Sequence, residues 1–149
     1  MEWLTRLQGQ VVGLDTAPLI YFIEQNPTYL EIVRAFFRAM DRGDLRVVTS
    51  TLTLTEVLVY PLRQGNTELA RQYQDILFDQ ENLITLPVSP EIAELAAQLR
   101  ASRNLRTPDA IQMATAIHGG ATFFFTNDLR LPIIPNLEII VLDAIAQNG

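Results

Sequence analysis

Four carboxylates in this chain stand where an α/β protein keeps its chemistry. Asp15 follows the apolar run Val11–Leu14, and Glu56 lies six residues past the run Leu45–Ser50. Asp109 comes directly after Pro108, at the start of an amphipathic stretch, and Asp128 closes Phe125-Thr126-Asn127-Asp128. Each has an ordinary local explanation. Asp15 suits a helix N-cap, Thr53-Leu54-Thr55-Glu56 matches a capping box, Asp109 would complement a helix dipole, and Asn127-Asp128 would form an Asx-type turn. Taken together they suggest something else. Four carboxylates brought to one pocket repel one another unless protons or cations intervene. An oxygen-only donor set suits hard Mg²⁺ or Mn²⁺ rather than zinc. Such ions activate water and stabilise the charged oxygens of an in-line displacement at a phosphate ester. Thr16 and Thr126 adjoin two of these acids and could donate hydrogen bonds to them from behind.

The elements that must position these residues can be read from periodicity. Short apolar runs at 11–14, 45–50, 83–88, 122–125 and 137–142 predict five strands. Between them, helices are expected over 17–24, apolar on most sides and broken by Asn26-Pro27, then 28–42, 53–62 with Pro61 inside or at a joint, 67–79, 90–103 and 108–118, while 131–135 reads as loop. Strands alternating with helices over 149 residues imply one α/β domain, residues 1–149, with a mainly parallel sheet. Ligands in such sheets bind beyond the carboxyl ends of the strands, which is where Asp15 and Asp128 fall. Two consecutive helices between the third and fourth strands break simple alternation and leave the path there open.

Composition narrows the chemistry further. There is no Cys, and all 11 basic residues are Arg. Disulfides, thiolate metal sites, Schiff-base lysines and P-loop lysines are therefore excluded. The net charge of −6 argues against nucleic-acid binding through a broad basic face. Without the four proposed ligands, 13 acidic side chains face 11 basic ones and the balance falls to −2. Most of the acidity thus belongs to one site, where a cation would offset it. Any direct cationic phosphate contact falls to Arg: Arg103 and Arg106 with Arg100 before Asp109, and Arg130 after Asp128. His118 reads as a helix-end residue before Gly119-Gly120. Asp143 and Glu24 are positional decoys, and Asp75 and Asp79 are solvated neighbours on one helix face. The first ten residues lack a basic segment leading into an apolar run, and nothing approaches the roughly 18 apolar residues of a membrane helix. A cytoplasmic protein with no membrane association is expected.

At these residues the chain resembles the PIN-domain nucleases, and more narrowly the VapC toxins of toxin–antitoxin pairs. The likeness is carried by Gly13-Leu14-Asp15-Thr16, Thr55-Glu56-Val57-Leu58, Thr107-Pro108-Asp109-Ala110-Ile111-Gln112-Met113-Ala114-Thr115-Ala116 and Phe125-Thr126-Asn127-Asp128. These segments span nearly the whole chain in the family's order. The resemblance implies a parallel sheet in the order 3-2-1-4-5, which accommodates the helix pair. It also implies a Mg²⁺- or Mn²⁺-dependent ribonuclease whose acidic quartet is Asp15, Glu56, Asp109 and Asp128. A cognate antitoxin protein and a homodimer are the implied partners, with RNA as substrate. The apolar stretch Leu58–Leu62, with Phe22, Phe36 and Phe37, would be core, or in part a groove for an antitoxin helix. Two other readings compete. One is a catalytically silent PIN-like scaffold whose acids merely cap helices. The other is a phosphomonoesterase with an Asp nucleophile, disfavoured because Asp15-Thr16-Ala17 lacks a second Asp and the chain lacks Lys.

Overall fold

In the computed structural model, which describes residues 1–148, five four- or five-residue strands carry the fold: β1 (Val11–Leu14), β2 (Arg46–Ser50), β3 (Leu83–Leu86), β4 (Phe123–Thr126) and β5 (Glu138–Val141). They form one all-parallel sheet in the order β3-β2-β1-β4-β5. Consecutive side chains on these strands go to opposite faces. Val12, Leu14, Val47 and Phe125 enter one hydrophobic cluster, and Val48 and Phe124 enter the other. Burial on both faces explains why the strands read as continuous apolar runs rather than alternating ones.

Every crossover between β1 and β4 carries two helices. The pairs are α2 (Thr16–Ile23) with α3 (Leu30–Asp41), α4 (Thr51–Gln64) with α5 (Thr67–Phe78), and α6 (Pro90–Ser102) with α7 (Thr107–His118). The pair before β4 is therefore the rule of this fold, not an exception to its alternation. Helices α6 and α7 pack on each other and bury Ile92, Ala96, Leu99, Ala110 and Met113 on one face of the sheet. On the other face, Phe36 of α3 stacks on Phe125 with centroids 4.3 Å apart, and Phe37 stacks on Phe22 at 4.3 Å.

Two short helices escape the periodicity. Glu2–Arg6 forms α1, tied down by Trp3 stacking on Phe125 and by fully buried Leu7. Leu142–Asn148 forms α8, so the last strand stops at Val141. Helix α4 runs through Pro61 and ends at Gly65, whose φ of +64° is the left-handed cap that glycine adopts without a Cβ clash. Phe36 and Phe37 are core as expected, but Val59, Tyr60 and Leu62 are exposed, by 42%, 57% and 68%. Among the described residues no helix is long and apolar enough to cross a membrane.

Candidate metal centre

All four carboxylates border one pocket of about 330 Å³ at the carboxyl edge of the sheet, together with Thr16, Ala17, Ile20, Arg106, Pro108 and Gln112. Each arrives by a different route. Asp15 sits in the first position after β1, its N–H bonded to the Phe125 carbonyl of β4 at 3.0 Å. Its Oδ1 accepts the Thr16 N–H at 2.9 Å, so it does cap α2. Its Oδ2 accepts the hydroxyl of fully buried Thr126 at 2.7 Å. A carboxylate has two oxygens, so Asp15 can cap α2 with one and still border the pocket, held by Thr126 through the other.

Glu56 reaches the pocket from α4, but the capping-box reading of it fails. Helix α4 begins at Thr51 and is capped by Ser50, whose Oγ accepts the Leu52 N–H at 3.1 Å. Glu56 is thus in the second turn, free of the helix end, and its Oε1 accepts the Thr16 hydroxyl at 2.6 Å. Asp109 lies in the first turn of α7, where Oδ2 meets Arg106 Nε at 3.4 Å. Asp128 forms the expected turn, its Oδ1 accepting from the Arg130 backbone N–H at 2.9 Å and from Arg130 Nε at 3.2 Å.

The electrostatics separate these acids. Burial pushes the Asp15 carboxyl above the ordinary aspartate range. Hydrogen bonds from Thr126 and Thr16 oppose that rise, and the charges of Asp109 and Glu56 add to it. Burial also acts upward on Asp128, but the Arg130 backbone and guanidinium, with Arg106, outweigh it and hold that carboxyl below its usual range. The carboxylates line the pocket wall rather than meeting at its centre. Among the described residues no three acidic or imidazole groups close on one point as a metal cluster. Asp109 and Asp128 are instead turned toward Arg106 and Arg130. The donor set nonetheless fits a divalent cation: it is oxygen-only, and it holds like charges whose mutual repulsion a cation would relieve.

The remaining candidates divide. Arg106 borders the pocket, whereas Arg130 is paired with Asp128 beside it, its side chain 82% exposed. Arg100 is a loop fastener, donating to the Leu105 carbonyl and to Thr107. Arg103 donates to the Ile133 carbonyl and Ser102 and does not line the pocket. Asp143 and Glu24 lie outside it and accept the Tyr29 and Tyr73 hydroxyls. His118 is exposed at the end of α7. Periodicity gave no hint of Gln112, a buried polar residue inside the apolar run of α7 that also borders the pocket. Its one legible signal is an amide on a core-facing helix stripe, four residues before Ala116.

The PIN domain family profile matches residues 12–137, which include all four acids. The chain belongs to the PIN domain family. Similar solved structures are a DNA-bound VapBC complex from Salmonella typhimurium and a VapBC complex from Rickettsia felis bound to a promoter DNA fragment. The Salmonella structure is 21% identical over 89% of this chain and 98% of that one, with a TM-score of 0.69. The Rickettsia structure is 18% identical over 88% and 98%, with a TM-score of 0.68. A Mycobacterium tuberculosis VapC toxin that cleaves the sarcin–ricin loop matches at 16% identity over 76% and 86%, with a TM-score of 0.59. No curated protein matches the sequence significantly. At these identities the neighbours show a shared PIN fold. In this PIN domain the sequence motifs coincide with the pocket: the segment after β1, the middle of α4, the start of α7 and the end of β4.

Proposed function

We propose that this PIN domain is a divalent-metal-dependent endoribonuclease, the toxin component of a toxin–antitoxin pair, with Asp15, Glu56, Asp109 and Asp128 as its metal-holding acids. The observation that carries the reading is that carboxylates from four separate segments line one pocket of about 330 Å³. A Mg²⁺ or Mn²⁺ ion held there supplies a water nucleophile at neutral pH and neutralises charge on the phosphodiester. The chain's own part is positioning. Asp15 is fixed by Thr16 and Thr126, and Glu56 by Thr16. Arg106 borders the pocket and Arg130 stands beside it, both available to take phosphate oxygens, while Arg103, outside the pocket, would contact only flanking RNA. Arg106 and Arg130 pair with Asp109 and Asp128, so a cation bound to these carboxylates would compete with the two guanidinium groups for them. The VapBC complexes among the structural neighbours support an antitoxin partner, and exposed Val59, Tyr60 and Leu62 on α4 offer it apolar surface.

The direct test is cleavage of single-stranded and structured RNA by purified protein in 5 to 10 mM Mg²⁺ or Mn²⁺ (roughly the range that saturates weak carboxylate sites) and in excess EDTA. Cleavage that appears with metal and vanishes with EDTA is expected. Absence of cleavage under all conditions, with no divalent-ion binding by calorimetry, supports the silent scaffold instead.

Thr126→Val probes the acid's environment. The Thr126 hydroxyl lowers the Asp15 pKa, so losing it raises that pKa further. Metal binding requires the ionised carboxylate, so the acid limb of the activity profile should move to higher pH. At neutral pH activity should fall by about 10–100-fold, the usual effect of removing a donor behind a metal ligand. An unshifted pH profile would show that Asp15 does not titrate in the rate.

A further inference from the structure

Gln112 is 3% exposed, three residues beyond Asp109 on α7. Its Oε1 accepts the Ser50 hydroxyl at 2.8 Å, and its Nε2 donates to Thr53 Oγ1 at 2.8 Å and to Thr16 Oγ1 at 3.2 Å. The neighbours dictate which way the amide faces. The Thr49 hydroxyl donates to the Leu14 carbonyl at 2.9 Å, so in the 2.7 Å contact between Thr49 and Thr53 the proton comes from Thr53. Thr53 Oγ1 is then left to accept from Gln112. At the other end Ser50 Oγ accepts the Leu52 N–H and turns its proton to Gln112 Oε1. With both ends fixed, the remaining Gln112 N–H occupies a lone pair of Thr16 Oγ1, and the single Thr16 proton goes to Glu56 Oε1 at 2.6 Å. Thr16 also holds Asp15 through its backbone N–H. A directed chain of hydrogen bonds thus runs from the β2–α4 junction through α7 to two of the four acids.

We propose that Gln112 is a positioning residue of the metal centre, fixing the Glu56 carboxylate relative to Asp15 through the Thr16 hydroxyl and thereby setting the pocket's affinity for divalent cations. This rests on the metal-dependent reading above. Glu56 is exposed and carries a flexible side chain. Without a partner it samples several rotamers, and each excursion removes one oxygen from the pocket. A hydroxyl alone could aim its proton elsewhere; the buried amide removes that freedom by blocking the alternative lone-pair direction.

The test is a double-mutant cycle read by Mn²⁺ titration calorimetry and by RNA cleavage, on the parent, Gln112→Met, Thr16→Val and the double variant. Each single substitution should raise the Mn²⁺ Kd and lower kcat by about 10–100-fold, with KM for RNA little changed. The double variant should be no worse than Thr16→Val alone, because both act through one hydrogen bond. A Gln112→Met protein that melts lower yet keeps the parent Kd overturns the proposal, as does full additivity in the cycle. If Gln112→Met fails to fold, Gln112→Asn goes through the same cycle, its amide being one methylene too short to reach Thr16. The same weakening is expected, and an unchanged Kd overturns the proposal. A parent that binds no Mn²⁺ overturns the functional reading and this proposal with it. A parent that binds while Gln112 proves indifferent overturns this proposal alone.

Discussion

Asp15→Asn is expected to lower RNA cleavage by about 10³-fold and, in metal-free protein at neutral pH, to raise the melting temperature. The activity loss follows from removing a charge that holds the cation; metal stabilisation of a phosphoryl transition state amounts to several kcal/mol, and 1.4 kcal/mol is tenfold. The gain in stability follows from the site's electrostatics. Burial pushes the Asp15 carboxyl up, and the charges of Asp109 and Glu56 push the same way. A carboxyl raised on folding favours the native state only while protonated. Its contribution is present at low pH and is lost as pH rises through its folded value, beyond which the buried charge costs stability. Asn carries no charge, still accepts the Thr16 N–H, and caps a helix as well as Asp does. The melting advantage of the variant in EDTA should therefore shrink as pH falls and Asp15 in the parent protonates. Thermal denaturation at several pH values checks this. A variant less stable than the parent at neutral pH would contradict the assignment of Asp15 as a buried, repelled acid.

The second large effect is structural. Gly13→Ala should destabilise the domain by about 2–3 kcal/mol, a fall of roughly 4–12 °C in melting temperature. A Cβ on Gly13 would lie 2.4 Å from Ala116 Cβ and 2.9 Å from Phe124 Cδ1. Neither neighbour can withdraw, since Ala116 and Phe124 are each 1% exposed. Relief requires α7 to lift from β1, and that shift would carry Asp109 away from Asp15. Activity should therefore fall even at temperatures where the variant stays folded. Ala116→Gly in the Gly13→Ala background deletes the opposing Cβ and should recover part of the loss, offset by about 1 kcal/mol for glycine inside a helix. Wild-type stability in Gly13→Ala would mean that α7 and β1 pack more loosely than the structure has them.

This close approach gives two of the sequence motifs a physical meaning. Gly13 and Ala116 are small because α7 lies against the middle strand, and that contact brings Asp109 to the acid that follows β1. The strand-end acids were legible because five buried parallel strands leave plain apolar runs, and the residues after them stand out. The sheet order was not in the periodicity; it came with the family resemblance, since local patterns say nothing of which strands pair. The Thr53–Glu56 capping pattern misled because a strand residue, Ser50, starts the helix with no intervening loop. Helices α1 and α8 escaped because they are five and seven residues long, too short to show a period, and hold by tertiary contacts at Leu7 and Leu142. The ion pairs of Arg106 and Arg130 and the hydrogen bonds of Gln112 depend on side-chain direction, which residue type alone does not carry.

The central claim, that these four carboxylates hold a divalent cation, is tested most directly by anomalous diffraction from crystals of the protein grown with Mn²⁺. The account predicts a peak in the pocket bounded by Asp15, Glu56, Asp109 and Asp128, about 2.1 Å from an Asp15 oxygen, with oxygens of at least one other of the four in its shell. A peak elsewhere, or an empty pocket at saturating Mn²⁺ with Arg106 and Arg130 still paired to Asp109 and Asp128, would contradict it.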